Sequence, residues 1–130
     1  MKILLAEDDG DDKKFFYDFL KHRQTLQLLP PKDNGEELIT YLQHIDNEEL
    51  LPDAIILDQN MPKCNGLDTL SRLKADDRLE HIPVMIYSTF VDEQLKQRAL
   101  QAGAVLVASK PSSEEGYNLM IDKLISALNE

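Results

Sequence analysis

Four short, unbroken apolar runs constrain the fold of this chain more than any other feature. They cover Ile3 to Ala6, Ala54 to Leu57, Val84 to Tyr87 and Val105 to Ala108. Runs of this length suit strands that are buried on both faces of a parallel sheet. A fifth run, Leu26 to Leu29, is interrupted by Gln27 and ends at Pro30-Pro31. Because proline cannot donate ladder hydrogen bonds, we predict an irregular edge strand there.

Segments with helical spacing separate these runs, because their apolar residues recur with a period near 3.6. The apolar positions are Phe15, Phe16, Phe19 and Leu20, then Leu38, Ile39, Leu42 and Ile45, then Leu67, Leu70 and Leu73, then Leu95, Ala99 and Ala102. A last helix is predicted over about Ser113 to Leu128. Strand and helix thus alternate five times, which predicts an α/β domain with a parallel sheet covered on both faces.

Length and charge limit what such a domain does. The chain has 130 residues, so we expect one domain over residues 1–130 and no output domain. Its 24 acidic residues against 14 lysines and arginines give a net charge of -10, which disfavours nucleic acid and anionic lipid as partners. A single cysteine excludes an internal disulfide, and no apolar run approaches the roughly 20 residues of a membrane helix. We therefore expect a cytoplasmic protein without a membrane segment.

Polar residues follow the predicted strands directly. They are Glu7-Asp8-Asp9 after the first, Asp58 after the third, Ser88-Thr89 after the fourth and Ser109-Lys110-Pro111 after the fifth. In open parallel sheets the ligand crevice lies beyond the carboxyl ends of the strands, so these side chains should meet at one edge.

Clustered carboxylates at that edge would either take up protons or hold a cation. Two carboxylates about 5 Å apart repel by roughly 3 kcal/mol at an effective dielectric of 20. Oxygen donors favour Mg²⁺ or Mn²⁺ over zinc, and His22, His44 and His81 lack ligand spacing. A strand-end carboxylate beside such a metal, Asp58, is suited to accept a phosphoryl group, with Lys110 and Ser88 binding the phosphoryl oxygens.

The strand-end residues belong to five motifs. These read ILLAEDD at residues 3–9, LDQNMPKCNGL at 57–67, IYST at 86–89, AGA at 102–104 and SKP at 109–111. Together and in this order, they make the chain resemble the receiver domains of bacterial two-component response regulators over nearly its whole length. The resemblance implies a flavodoxin-like (βα)5 doubly wound fold with strand order 2-1-3-4-5.

The resemblance also implies a role for each site residue. Asp58 would be the phosphoacceptor and also a metal ligand. Asp8 would bind the metal directly, Glu7 through water and Asn60 through its backbone carbonyl. Ser88 would be the switch hydroxyl, with Thr89 as its rival, and Lys110 would bind the phosphoryl group. The family has a cis peptide before the proline, here at Lys110-Pro111. Asp11 and Asp12 are expected to be solvated acids at a helix start.

Partners follow from the same resemblance. A stand-alone receiver would take its phosphoryl group from a sensor histidine kinase and signal through contacts with a downstream protein, a phosphotransfer partner or a second copy. It would not be a conventional enzyme, yet it would catalyse its own phosphorylation and its own dephosphorylation. The bulky Phe90, two residues after Ser88, predicts that dephosphorylation is slow, because it hinders water at the acyl phosphate.

Departures from the family pattern leave two alternatives open. Val107 stands where the family has a switch aromatic, which keeps open a phosphorylation-independent interaction module. A haloacid-dehalogenase-like aspartyl phosphatase is the enzyme alternative, although it needs a second Asp where this chain has Asn60. The phenylalanines of the first helix are expected mainly in the core, with room for one exposed member. Cys64 is expected to be an incidental loop residue, where a partly exposed thiol would be open to oxidation.

Overall fold

The computed structural model describes all residues from Met1 to Glu130. Its strands are β1 (Lys2–Ala6), β2 (Gln27–Leu28), β3 (Ala54–Asp58), β4 (Val84–Ser88) and β5 (Leu106–Ser109). Its helices are α1 (Gly10–Leu20), α2 (Gly35–Gln43), α3 (Gly66–Lys74), α4 (Glu93–Gln101) and α5 (Glu114–Leu128), with a short 3-10 helix at Glu48–Leu50. The strands form one parallel sheet in the order β2-β1-β3-β4-β5. The predicted flavodoxin-like (βα)5 fold is therefore confirmed.

The β2 edge is irregular, as predicted from its prolines. Only Gln27 and Leu28 pair regularly with β1, opposite Lys2 and Ile3. Beyond the two prolines, Lys32 restores a single parallel bridge to Ala6. The edge strand is short because the prolines cannot donate to the ladder, while the backbone on either side of them still can.

Each helix starts at a side chain that caps its amino terminus. Asp9, Asn34, Asn65, Asp92 and Ser113 each accept a hydrogen bond from a backbone N–H in the first turn of α1 to α5. Such caps satisfy amides that have no partner within the helix. Gly103 follows α4 with a φ of 109°, the left-handed conformation that glycine adopts most readily after a helix.

The helices bury two separate apolar clusters, one on each side of the sheet. On the first side, which we call the α2–α4 face, residues of α2, α3 and α4 pack against Leu4, Ala6, Ile55, Leu57, Val84 and Ile86. On the second, the α1–α5 face, residues of α1 and α5 pack against Ile3, Leu5, Ala54, Ile56, Met85 and Tyr87. Successive strand residues point to opposite faces, so every central strand contributes to both clusters.

The phenylalanines of α1 lie mainly in or against the core, as predicted. Phe16 is buried and Phe19 packs against the same cluster, whereas Phe15 is 44% exposed and stacks on Phe19 with the ring centres 5.8 Å apart. Cys64 is buried, and the Thr69 hydroxyl lies 3.2 Å from its sulfur, so the expectation of a partly exposed thiol is wrong. None of the helices combines the length and the apolar character that crossing a membrane requires.

Candidate functional site

The fold brings three acidic side chains together at the carboxyl end of β1 and β3. Glu7, Asp8 and Asp58 each offer a carboxylate oxygen, and these atoms lie within 4.8 Å of one another. Glu7 is fully buried and Asp58 is 2% exposed, whereas Asp8 is exposed. Two ionised groups buried this closely are costly without a positive charge between them. An all-oxygen cluster of this kind suits a divalent cation such as Mg²⁺ or Mn²⁺.

Lys110 supplies a positive charge to the same cluster. Its Nζ lies 2.9 Å from Glu7 Oε1, 2.9 Å from Asp12 Oδ2 and 3.3 Å from Asp58 Oδ2. Burial alone lowers the pKa of the Lys110 ammonium, but the hydrogen bonds to Glu7 and Asp12 outweigh it and raise that pKa overall. Lys110 therefore stays protonated.

The peptide bond between Lys110 and Pro111 is trans, as are all peptide bonds of the structure. The expectation of a cis bond at this position is therefore wrong. The trans form is also the one that X-Pro bonds intrinsically prefer.

Asp58 holds its proton unusually tightly. Burial raises its pKa most, and the hydrogen bond and negative charge of Glu7 raise it further. Lys110 and the Asn60 backbone N–H, which donates to Asp58 Oδ1 at 3.2 Å, lower it only in part. The resulting pKa is about 7. Near neutral pH, this carboxylate therefore needs either a proton or a cation.

Ser88 lies at the end of β4, next to the acidic cluster. Its side chain is buried, and Asn60 Nδ2 donates a hydrogen bond to its Oγ at 3.3 Å. The rival hydroxyl, Thr89, is exposed. Ser88 and Asn60 also line a cavity of about 260 Å³ with Phe90, which is 73% exposed. Two of the predicted site residues, Ser88 and Asn60, thus line one cavity.

Two residues of the site were not predicted as functional. Asp12 was expected to be a solvated acid, but it accepts a hydrogen bond from Lys110. Tyr87 was assigned only to the apolar run of β4, but its hydroxyl donates to Glu7 Oε1 at 2.6 Å. A sequence signal existed for Tyr87 alone, since a tyrosine that ends a buried strand needs a polar partner for its hydroxyl.

Comparison with known proteins identifies the family. A model of the response regulator receiver domain matches residues 3–122. The chain belongs to the response regulator receiver family. Receiver domains bind a divalent metal at an acidic pocket and interact with histidine kinases and downstream effectors.

Curated relatives show the same relationship. A protein-glutamate methylesterase/protein-glutamine glutaminase of Syntrophomonas wolfei is 32% identical over 92% of the chain and 32% of its own length. The chain thus spans about a third of the length of the methylesterase relatives it matches. The polar-differentiation response regulator DivK of Brucella anthropi is 29% identical, with 85% of each chain covered.

Solved structures agree with the fold. The Mn²⁺-bound form of the response regulator Rcp1 is 25% identical, with a TM-score of 0.79 over 96% of this chain and 91% of that one. The phosphorylated cyanobacterial phytochrome response regulator RcpA is also 25% identical, with a TM-score of 0.80 over 95% and 89% of the two chains. This chain is accordingly a phosphoacceptor receiver of two-component signalling, and no observation favours the phosphatase or the phosphorylation-independent alternative.

Proposed function

We propose that Asp58 accepts the phosphoryl group and that a sensor histidine kinase donates it. The observation that carries this assignment is the setting of the Asp58 carboxylate at the end of β3. One of its oxygens lies 3.3 Å from Lys110 Nζ, and the other accepts the Asn60 N–H at 3.2 Å. The side chain is nearly fully buried at the carboxyl end of β3.

The transfer is a displacement at phosphorus. A carboxylate oxygen of Asp58 forms the new P–O bond while the P–N bond to the kinase histidine breaks. The bonding electrons leave with the imidazole nitrogen. Lys110 and the Ser88 hydroxyl bind the phosphoryl oxygens, because positioning and charge stabilisation dominate phosphoryl transfer.

The acidic cluster is proposed to hold Mg²⁺ or Mn²⁺. Asp8 and Asp58 would bind directly, Glu7 through water and Asn60 through its backbone carbonyl. A cation held there would neutralise the charge that develops on the phosphoryl oxygens. The raised pKa of Asp58 supports this fit, because a carboxylate that resists ionisation without a cation is stabilised by one.

The kinase is proposed to approach over α1 and the segment after β5. Asp12, Phe15, Phe19, Pro111, Ser112 and Tyr117 line a cavity of about 290 Å³ there. The exposed Phe15 offers apolar surface beside the site, which suits a protein partner. We propose that the signal then passes to a downstream protein in the cytoplasm and that the acyl phosphate is lost slowly.

Acetyl phosphate tests the assignment. With Mg²⁺, the wild-type protein should gain about 80 Da, the mass of one phosphoryl unit. Asp58→Asn should gain nothing, and a chelator should abolish the gain. Asp68→Asn removes an exposed carboxylate in the first turn of α3 and should behave as the wild type. An adduct retained in Asp58→Asn would refute the assignment, and rapid turnover of small phosphate esters would indicate a phosphatase instead.

A further inference from the structure

The Tyr87 hydroxyl is a buried polar group that the proposed transfer does not use. Tyr87 lies in β4 and is fully buried on the α1–α5 face of the sheet. It is paired in register with Asp58 of β3, and Ser88 follows it in the chain. A single residue therefore adjoins both the acidic cluster and the proposed phosphoryl-binding hydroxyl.

The hydroxyl has one partner, the Glu7 carboxylate. It donates to Glu7 Oε1 at 2.6 Å, and Lys110 Nζ lies 2.9 Å from the same oxygen. The other oxygen, Glu7 Oε2, accepts the Asp9 backbone N–H at 3.2 Å. Two strong donors thus fix Oε1 of Glu7, while the bond from Asp9 to Oε2 is longer.

Packing does not account for a tyrosine at this position. A phenylalanine would place the same ring in the same apolar cluster. Burying a hydroxyl costs free energy unless it is hydrogen-bonded, whereas a bond to an ionised carboxylate is stronger than a bond between neutral groups. The hydroxyl is therefore explained by its hydrogen bond to Glu7 and not by packing in the core.

We propose that Tyr87 is a positioning residue that orients the Glu7 carboxylate for the divalent-cation site. Its bond to Oε1 holds the carboxylate in place and leaves Oε2 for a water bound to the cation. Groups that orient metal ligands in this way typically contribute about 10- to 100-fold to metal affinity. The inference rests on the proposed metal site at Glu7, Asp8 and Asp58.

Tyr87→Phe tests the proposal, because it removes only the hydroxyl. Titration calorimetry with Mg²⁺ and with Mn²⁺ should show affinity about tenfold weaker than in the wild type. Phosphorylation by acetyl phosphate should slow at low Mg²⁺ and recover to within about twofold at saturating Mg²⁺. Tyr117→Phe is the matched control, because Tyr117 is also buried in the α1–α5 cluster and no carboxylate bonds its hydroxyl. Its cation affinity should equal that of the wild type.

The outcomes separate this inference from the proposed function. No Mg²⁺ or Mn²⁺ binding by the wild type would refute the metal site itself. Wild-type binding with unchanged affinity in Tyr87→Phe, or an equal loss in Tyr117→Phe, would refute the role of Tyr87 alone. If circular dichroism shows Tyr87→Phe unfolded, NMR of the wild type decides. The Tyr87 ring carbon bonded to oxygen should shift with the same Mg²⁺ dependence as the calorimetric binding, and an unmoved resonance would overturn the proposal.

Discussion

The two faces of the sheet differ most at the carboxyl ends of β1 and β3. On the α2–α4 face, the last side chains of β1 and β3 are Ala6 and Leu57, both in the core cluster. The next residues along the chain, Glu7 and Asp58, are buried carboxylates on the α1–α5 side. One further residue along the same strands thus changes a core position into a site position, because side chains alternate between the faces. In β1 and β3, a core side chain and a site side chain are therefore neighbours in the chain but lie on opposite faces of the sheet.

The largest expected effect is a loss of stability on truncating a core residue of the α2–α4 face. Leu57→Ala should lower the free energy of unfolding by about 2–5 kcal/mol, because Leu57 is fully buried and its truncation leaves a cavity. Urea denaturation measures this loss. The folded fraction should still bind Mg²⁺ within about twofold of the wild-type affinity. A large loss of Mg²⁺ affinity in the folded variant would show that the core position Leu57 and the cation site are not independent.

Removing one proposed ligand should affect the cation more than the fold. Asp8→Asn should weaken Mg²⁺ binding by about 100-fold or more, since even groups that only orient metal ligands contribute about 10- to 100-fold. Asp8 is exposed, so the unfolding free energy should change little. Asp11→Asn, an exposed acid in the first turn of α1, is the matched control in calorimetry. Equal losses in the two variants would place the cation elsewhere.

Asp58→Asn should stabilise the metal-free protein at alkaline pH. The pKa of Asp58 is raised from 3.8 to about 7 on folding, so the folded state binds the proton more tightly than the unfolded state does. Stability is then lost as the pH rises from about 4 to about 7, and the uncharged Asn avoids this loss. The variant should melt about 4 °C higher than the wild type at pH 8, equivalent to about 1 kcal/mol, and with little difference at pH 4. If the difference in melting temperature does not widen with pH, ionisation of Asp58 does not destabilise the folded protein.

The smallest effect is expected at the rim of the site. Phe90 is exposed beside Ser88 and belongs to neither core cluster. Phe90→Glu should shorten the half-life of the phosphoprotein severalfold, because a carboxylate admits and orients water where the ring hinders it. The decay of the mass adduct measures this half-life. A half-life that is unchanged or longer would show that Phe90 does not limit dephosphorylation.

The sequence predicted the sheet and the location of the site because both depend on local patterns. Buried runs located the strands, and the residues after them located Glu7, Asp8, Asp58, Ser88 and Lys110. It did not predict the ion pair of Lys110 with Asp12 or the bond of Tyr87 to Glu7. Those contacts join residues 98 and 80 positions apart, so they depend on how α1 and β4 pack and not on spacing.

A crystal structure with Mn²⁺ and beryllofluoride, a phosphoryl mimic, tests the central claim most directly. Anomalous scattering from Mn²⁺ should appear among Glu7, Asp8 and Asp58. Beryllofluoride should be bonded to an Asp58 oxygen, within hydrogen-bonding distance of Lys110 and Ser88. A cation at another acidic cluster, or beryllofluoride bonded to a different carboxylate, would contradict the account.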